Sequence, residues 1–174
     1  MNLKTGKIEA EFHKYVMPIE SPKLSSFCTE LTGITQNKVD TGIPLQTALM
    51  VFQEWVRKEL RSRNLYLPKM NKDKQSGNVA FVTWSDWDFE TKEPPFFNQW
   101  IDLKAIFKEY YHHKPINFND ALLHVGLQFA GREHSGIDDS KNLASLVYKM
   151  VKDGATLVIT KDLTPFQLTI NFSL

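Results

Sequence analysis

A single cysteine in 174 residues, Cys28, leaves no partner for an internal disulfide and no thiolate set for a cysteine-ligated zinc site. That scarcity suits a reducing compartment, so the cytoplasm or the nucleus is the expected location. Charge of one sign is scarce too: 21 Lys and Arg against 20 Asp and Glu leave a formal net charge of +1. No global field draws such a chain toward a polyanion, and any basic surface has to be local. Long apolar runs are absent. None approaches the ~20 residues of a membrane span, so no membrane partner is expected. The polar start Met1-Asn2-Leu3-Lys4 does not read as a signal peptide. No internal repeat is present. What remains is ordinary for a globular protein, 42% hydrophobic and 24% charged, and enough for one domain with its own core. That domain is expected over residues 1–163, with 164–174 as a tail.

Residues 7–16 alternate apolar Ile8, Ala10 and Phe12 with polar Glu9, Glu11 and His13, the pattern of a strand with one wet face. A Thr5-Gly6 turn precedes it, and Pro18 and Pro22 end it. Residues 24–31 read as a short helix stopped at Thr32-Gly33. A longer helix follows Pro44, with a stripe of Leu45, Ala48, Leu49, Phe52, Trp55, Val56 and Leu60. Its aromatics read as packing, not as a cofactor site. Residues 61–78 form a polar loop, and 79–84 a strand buried on both faces that runs into Ser85-Asp86-Trp87-Asp88. Polar residues just past a buried strand are where open α/β sheets build their sites. A strand near 100–103, a helix near 103–111, a helix over 119–125 capped by Asn119, and a last strand over 155–160 complete the pattern. Strands alternating with helices predict an α/β fold whose mixed sheet is antiparallel at its N-terminal side and parallel afterwards.

The densest chemistry lies in residues 131–142, Gly-Arg-Glu-His-Ser-Gly-Ile-Asp-Asp-Ser-Lys-Asn. His134 sits on a glycine-flanked turn five positions before Asp139. Asp138, Asp139 and Ser140 open a helix whose apolar residues Leu143, Leu146, Val147, Met150 and Val151 recur at helical spacing. Acidic residues there can simply cap the helix. A histidine on a flexible turn in front of them adds a second reading, because histidine is the usual proton acceptor near neutral pH. Together with Asp88, these are the parts of a metal-dependent hydrolase: carboxylates for a hard divalent cation and a histidine to take a proton from water.

Four blocks, in order, resemble the DEDD-type 3′–5′ exonucleases of the histidine subgroup, and within them the enhanced-RNAi/Snipper branch. They are Phe-Cys-Thr-Glu-Leu-Thr-Gly-Ile-Thr-Gln at 27–36, Thr-Trp-Ser-Asp-Trp-Asp at 83–88, Phe-Asn-Gln-Trp-Ile-Asp-Leu at 97–103, and the 131–142 stretch. The resemblance implies a ribonuclease-H-like fold, a mixed sheet flanked by helices, and hydrolysis of phosphodiester bonds from the 3′ end of RNA, with DNA as an alternative substrate. It implies catalysis by two Mg²⁺ ions, with Mn²⁺ as a substitute. Residue by residue, Asp88 and Asp139 resemble metal ligands, His134 the general base, and Leu31 and Thr32 contacts to the terminal base. Cys28 matches a family position without implied chemistry and is expected to be small and buried.

Two departures follow. The family's first motif, Asp-x-Glu on the first strand, has no match ahead of the Thr5-Gly6 turn. Asp88-Phe89-Glu90 spells it by letter but occupies the second motif's place, and Glu9-Ala10-Glu11 reads as wet-face strand residues. The family's helix-forming insert after Asp88 is also short here. The expectation is therefore a chain lacking its first strand, with weakened metal binding, slow or absent cleavage, and lowered stability or self-association. A nucleic-acid-binding or regulatory form that has lost catalysis is the alternative.

Overall fold

The computed structural model describes residues 1–67, 78–85, 97 and 99–163. In chain order the elements are β1 (Val16–Met17), α1 (Ser26–Thr32), α2 (Gln36–Asp40), β2 (Ile43–Pro44), α3 (Leu45–Ser62), β3 (Phe81–Thr83), β4 (Gln99–Asp102), α4 (Leu103–Tyr111), α5 (Phe118–His124), α6 (Gly136–Lys152) and β5 (Lys161–Asp162). They form two compact units. The first takes Met1–Leu65 and His113–Thr156; the second takes the described residues of Tyr66–His112 and Leu157–Leu174.

In the first unit β1 pairs with β2 in parallel, Val16 opposite Ile43 and Met17 opposite Pro44. The expected antiparallel N-terminal pairing is thus replaced by a parallel one. The connection between the two strands carries α1 and α2, and such a crossover returns the chain in the same direction. Residues 9–13 keep the expected alternation, with Ala10 and Phe12 half-buried and Glu9, Glu11 and His13 exposed. Ile8, expected on the dry face, is exposed, and the segment forms no ladder with another described segment. Side chains hold them instead. Phe12 meets Phe52 and Trp55 of α3 at ring-centre distances of 5.1 and 5.5 Å. Glu9 pairs with Arg63 at 3.3 Å, and Glu11 with Lys141 at 3.0 Å. Both glutamates of the Glu-x-Glu are therefore engaged at the surface, as their wet-face reading expects.

Helix α1 starts two residues later than expected, where the Ser25 hydroxyl accepts from the Cys28 N–H at 3.1 Å, and it ends as expected, with Gly33 closing it in the left-handed region at φ 70°. It buries none of its residues, and Cys28 is exposed, not buried as expected. Helix α2 is five residues long, too short for a periodic signal, and the sequence reading missed it. The α3 stripe buries its middle, Ala48 and Val56, while Leu45 at the first turn stays outside. Helix α5 is capped by Asn117, whose Oδ1 accepts from Asp120 N–H at 2.8 Å, and not by Asn119. Both asparagines suit a cap, and the extended backbone of Asn117 decides between them. In α6, Leu146, Val147 and Met150 are buried, as the helical spacing predicts.

In the second unit β3 runs parallel to β4, with Thr83 opposite Asp102, and β5 pairs antiparallel to β4, with Gln99 opposite Asp162. The antiparallel strand thus comes last. The Asp102 carboxylate caps α4 by accepting from the Lys104 and Ala105 N–H groups at 3.0 and 3.3 Å. The strand expected over 155–160 forms no ladder of its own. The Ala155 N–H is spent on the Met150 carbonyl at the end of α6, and pairing to β4 begins only where Thr160 N–H donates to Trp100. The residues around Asp88, including its short insert, and the tail from 164 lie outside the described residues.

One buried polar side chain fixes the start of α6. Asn142, 4% exposed, accepts from the Ala130 N–H at 2.9 Å and donates to the Ala130 and Asp138 carbonyls at 2.8 Å each. Its amide reproduces a strand-like pairing for the backbone of Ala130. Asn142→Ala is expected to cost about 2–4 kcal/mol, from two or three unpaired groups at roughly 1 kcal/mol or more each. Urea denaturation of the variant checks this; a loss under half a kcal/mol would show that water replaces the amide.

Candidate active site

The turn that carries His134 is built from its two neighbours in sequence. Gly131 has φ 93°, and a Cβ there would stand 2.6 Å from the Asp138 carboxyl carbon. Only glycine meets both conditions. The gap lets the Asp138 carboxylate accept from the Arg132 N–H at 3.1 Å. Ser135 stands at the N-cap of α6 but makes no side-chain cap bond, and its hydroxyl helps lower the Asp138 carboxyl. His134 itself is left-handed at φ 64°, a conformation costing a non-glycine residue about 1–2 kcal/mol. Such outliers persist where the surroundings over-determine them.

The turn forms one side of a cleft of about 700 Å³ within the first unit. His134, Glu133 and Arg132 line it, together with Leu31 at the end of α1, Asn119 and Leu123 of α5, and Phe129. Leu31 and His134, singled out from sequence, therefore share one cavity. Leu31 is 39% exposed, an apolar surface open to a ligand. Thr32 turns its hydroxyl into the helix end, donating to the Cys28 carbonyl at 2.7 Å and accepting from the Ile34 N–H at 3.1 Å. Asp139 is half-buried in the first turn of α6, near enough to the His134 backbone N–H for that group to lower its carboxyl. Asp88 lies outside the described residues. Arg132, Asn119 and Phe129 were missed as lining residues. Arg132 stood inside the strongest motif with no role given to it; the other two carry no motif at all.

The two adjacent aspartates have opposite electrostatics. Burial pushes the Asp139 carboxyl up from its ordinary 3.8, against the His134 N–H that lowers it. The Arg132 N–H, with Ser135, pulls Asp138 below 3.8. A carboxylate under desolvation strain is what a hard cation would relieve, so Asp139 suits a metal. It is one carboxylate, however. Among the described residues no group of three or more His, Cys, Asp or Glu is placed to hold a metal ion. The described residues do not complete such a site.

The aspartates give a pH-dependent prediction. A raised carboxyl favours folding most when protonated, and that contribution is lost as pH rises through the folded-state value. A lowered carboxyl contributes above the ordinary value, and its contribution is lost as pH falls through the folded-state value. At pH 7 Asp139→Asn should therefore raise the denaturation midpoint, and Asp138→Asn should lower it. The gain for Asp139→Asn should vanish as pH drops below 3.8, and the loss for Asp138→Asn should shrink further down. Denaturation midpoints of the two variants from pH 7 to 3 check the crossing signs.

Comparison with known proteins fits this geometry. The family model for Exonuclease (RNase_T) matches residues 1–147. The chain is 60% identical to the 3′–5′ exonuclease Snipper of Drosophila melanogaster, over 96% of this chain and 63% of that protein. It is 44% identical to ERI1 exoribonuclease 2 of Homo sapiens, over 100% of this chain and 27% of that protein. It thus spans less than two thirds of either relative. Among solved structures it superposes on the nuclease domain of 3′hExo, a DEDDh family member, bound to rAMP, with a TM-score of 0.79 and 29% identity over 93% of this chain and 82% of that one. A 3′-exonuclease structure recognising a histone mRNA stem-loop gives a TM-score of 0.74 at 28% identity, over 91% and 71% of the two chains. The ribonuclease-H-like fold is thereby shown. Enzymes of this group generally use divalent metal ions. The chain belongs to the Exonuclease (RNase_T) family, within its DEDDh group.

Proposed function

We propose that this chain carries the catalytic half-site of a 3′–5′ exonuclease acting on RNA 3′ ends, with DNA ends as an alternative substrate, in the cytoplasm or the nucleus. The observation that carries the reading is His134, held left-handed in the lining of a cleft that Leu31 also lines, five residues before the half-buried Asp139. Leu31 offers an apolar face to the terminal base, and Thr32 supports it by closing the helix end. His134 takes a proton from the attacking water. The water oxygen bonds to phosphorus, and the phosphorus–O3′ bond breaks with its electron pair staying on O3′. That oxygen takes a proton from solvent to become the 3′-hydroxyl of the shortened strand, and a nucleoside 5′-monophosphate leaves. Mg²⁺ or Mn²⁺ is the proposed cofactor, with Asp139 and Asp88 as its ligands; when bound, such an ion stabilises charge on the phosphoryl oxygens. His134→Ala should lower the rate of 3′-nucleotide release about 10²–10⁴-fold, the usual worth of a general base. A 5′-labelled RNA with Mg²⁺ or Mn²⁺ shows it as a shortened or unshortened ladder. An unchanged rate would remove His134 from the mechanism.

A second reading is favoured by the absence of a three-carboxylate group among the described residues. Two Mg²⁺ ions bring four positive charges, and two aspartates offset half of them. On that reading the 174-residue chain binds nucleotides and cleaves slowly or not at all. Millimolar Mg²⁺ affinity with retained AMP binding supports it; fast Mg²⁺-dependent trimming refutes it.

A further inference from the structure

Arg132 is tied at both ends to different elements. Its backbone N–H donates to the Asp138 carboxylate in the first turn of α6. Its guanidinium Nη2 donates to the Glu30 carbonyl, one of the last carbonyls of α1, which the helix itself leaves without a partner. A cation is favoured at that helix end, and the planar guanidinium has donors in a fixed fork. Gly33 makes room for it. A Cβ on Gly33 would stand 2.9–3.0 Å from Nε, Cζ and Nη1, so the guanidinium lies flat against the glycine. Gly33 is thus required twice, for its left-handed turn and for the side chain crossing it.

The distance spanned matters because α1 carries Leu31 and the 131–135 turn carries His134, the two faces of one cleft. Helix α1 buries none of its own residues, so apolar packing of its side chains does little to fix it. We infer that Arg132 is a positioning residue: it sets the separation of Leu31 from His134, and with it the fit of a 3′-terminal nucleotide. This rests on the proposed reading of the cleft as a nucleotide site. The competing role, direct contact between Arg132 and the ligand's phosphate, is decided by the same experiment.

The full chain is studied as wild type, Arg132→Ala, Arg132→Lys, Gly33→Ala, Leu31→Ala and the Arg132→Ala/Leu31→Ala double variant, with AMP binding followed by titration calorimetry. Arg132→Ala should weaken AMP about tenfold, with partial recovery in Arg132→Lys, which keeps one donor to the Glu30 carbonyl. The double variant should bind no worse than about twofold below the weaker single variant, because both changes act on one wall. Multiplying losses would make Arg132 an independent ligand contact and overturn the inference. In nucleotide-free methyl and imidazole NMR spectra, Arg132→Ala and Gly33→Ala should both move the Leu31 methyl signals and the His134 ring signals. Signals that stay in place, or loss of the folded spectrum in Arg132→Lys as well as Arg132→Ala, would overturn it. A wild type that neither binds AMP nor trims RNA would refute the nucleotide reading of the cleft, and the nucleotide-free spectra would still decide the role of Arg132.

Discussion

The site depends on the way residues 130–132 are stitched onto the first turns of α6. Asn142 holds both backbone groups of Ala130, and Asp138 holds the Arg132 N–H. The Asp138 contact requires glycine at position 131, where a Cβ would meet the carboxylate. The strained, left-handed backbone of His134 follows within the same turn. The energy for that strain comes from hydrogen bonds to one buried amide and one carboxylate whose charge is favoured where it stands.

This arrangement divides the work between two neighbouring aspartates. Asp138 turns back to the loop and is stabilised as an anion. Asp139 is partly desolvated, which raises its carboxyl, beside the turn of the residue proposed to move the proton. Adjacent positions on a helix point about 100° apart, so one aspartate can serve the loop while the next faces another environment. The bland reading of the acidic pair as a helix cap is not what forms: Ser135 occupies the cap position, and Asp138 turns back to accept from the Arg132 N–H.

Much of this was legible in the sequence, for local reasons. The 131–142 block gave the histidine turn and the helix behind it. Thr32-Gly33 marked the end of α1, and the pattern near 100–103 gave a strand running into a helix; the Ser25 and Asp102 caps emerged only with the structure. What failed was pairing. Alternation in residues 7–16 reports one wet face, and the structure keeps that face, but a ladder needs a partner segment that periodicity cannot name. The final strand slipped by a few residues because Ala155 spends its N–H on α6. At the site, Leu31 and His134 could be joined only through family resemblance, since about a hundred residues separate them. Arg132 was invisible as a link, because its partner is a backbone carbonyl and carries no residue type to read.

Helix α1 is fastened differently from everything around it. Gln36 clasps the segment leading into it, accepting from the Leu24 N–H and donating to the Pro22 carbonyl, each at 2.8 Å; Ser25 starts it and Arg132 holds its far end. These are polar ties at the surface, with no buried side chain from the helix itself. An element secured in this way exchanges its amide protons through local opening, at a free energy well below that of global unfolding. Amide exchange in α1 is therefore expected to outpace exchange in the α5 and α6 core, with the cleft wall bearing Leu31 opening before the wall bearing His134.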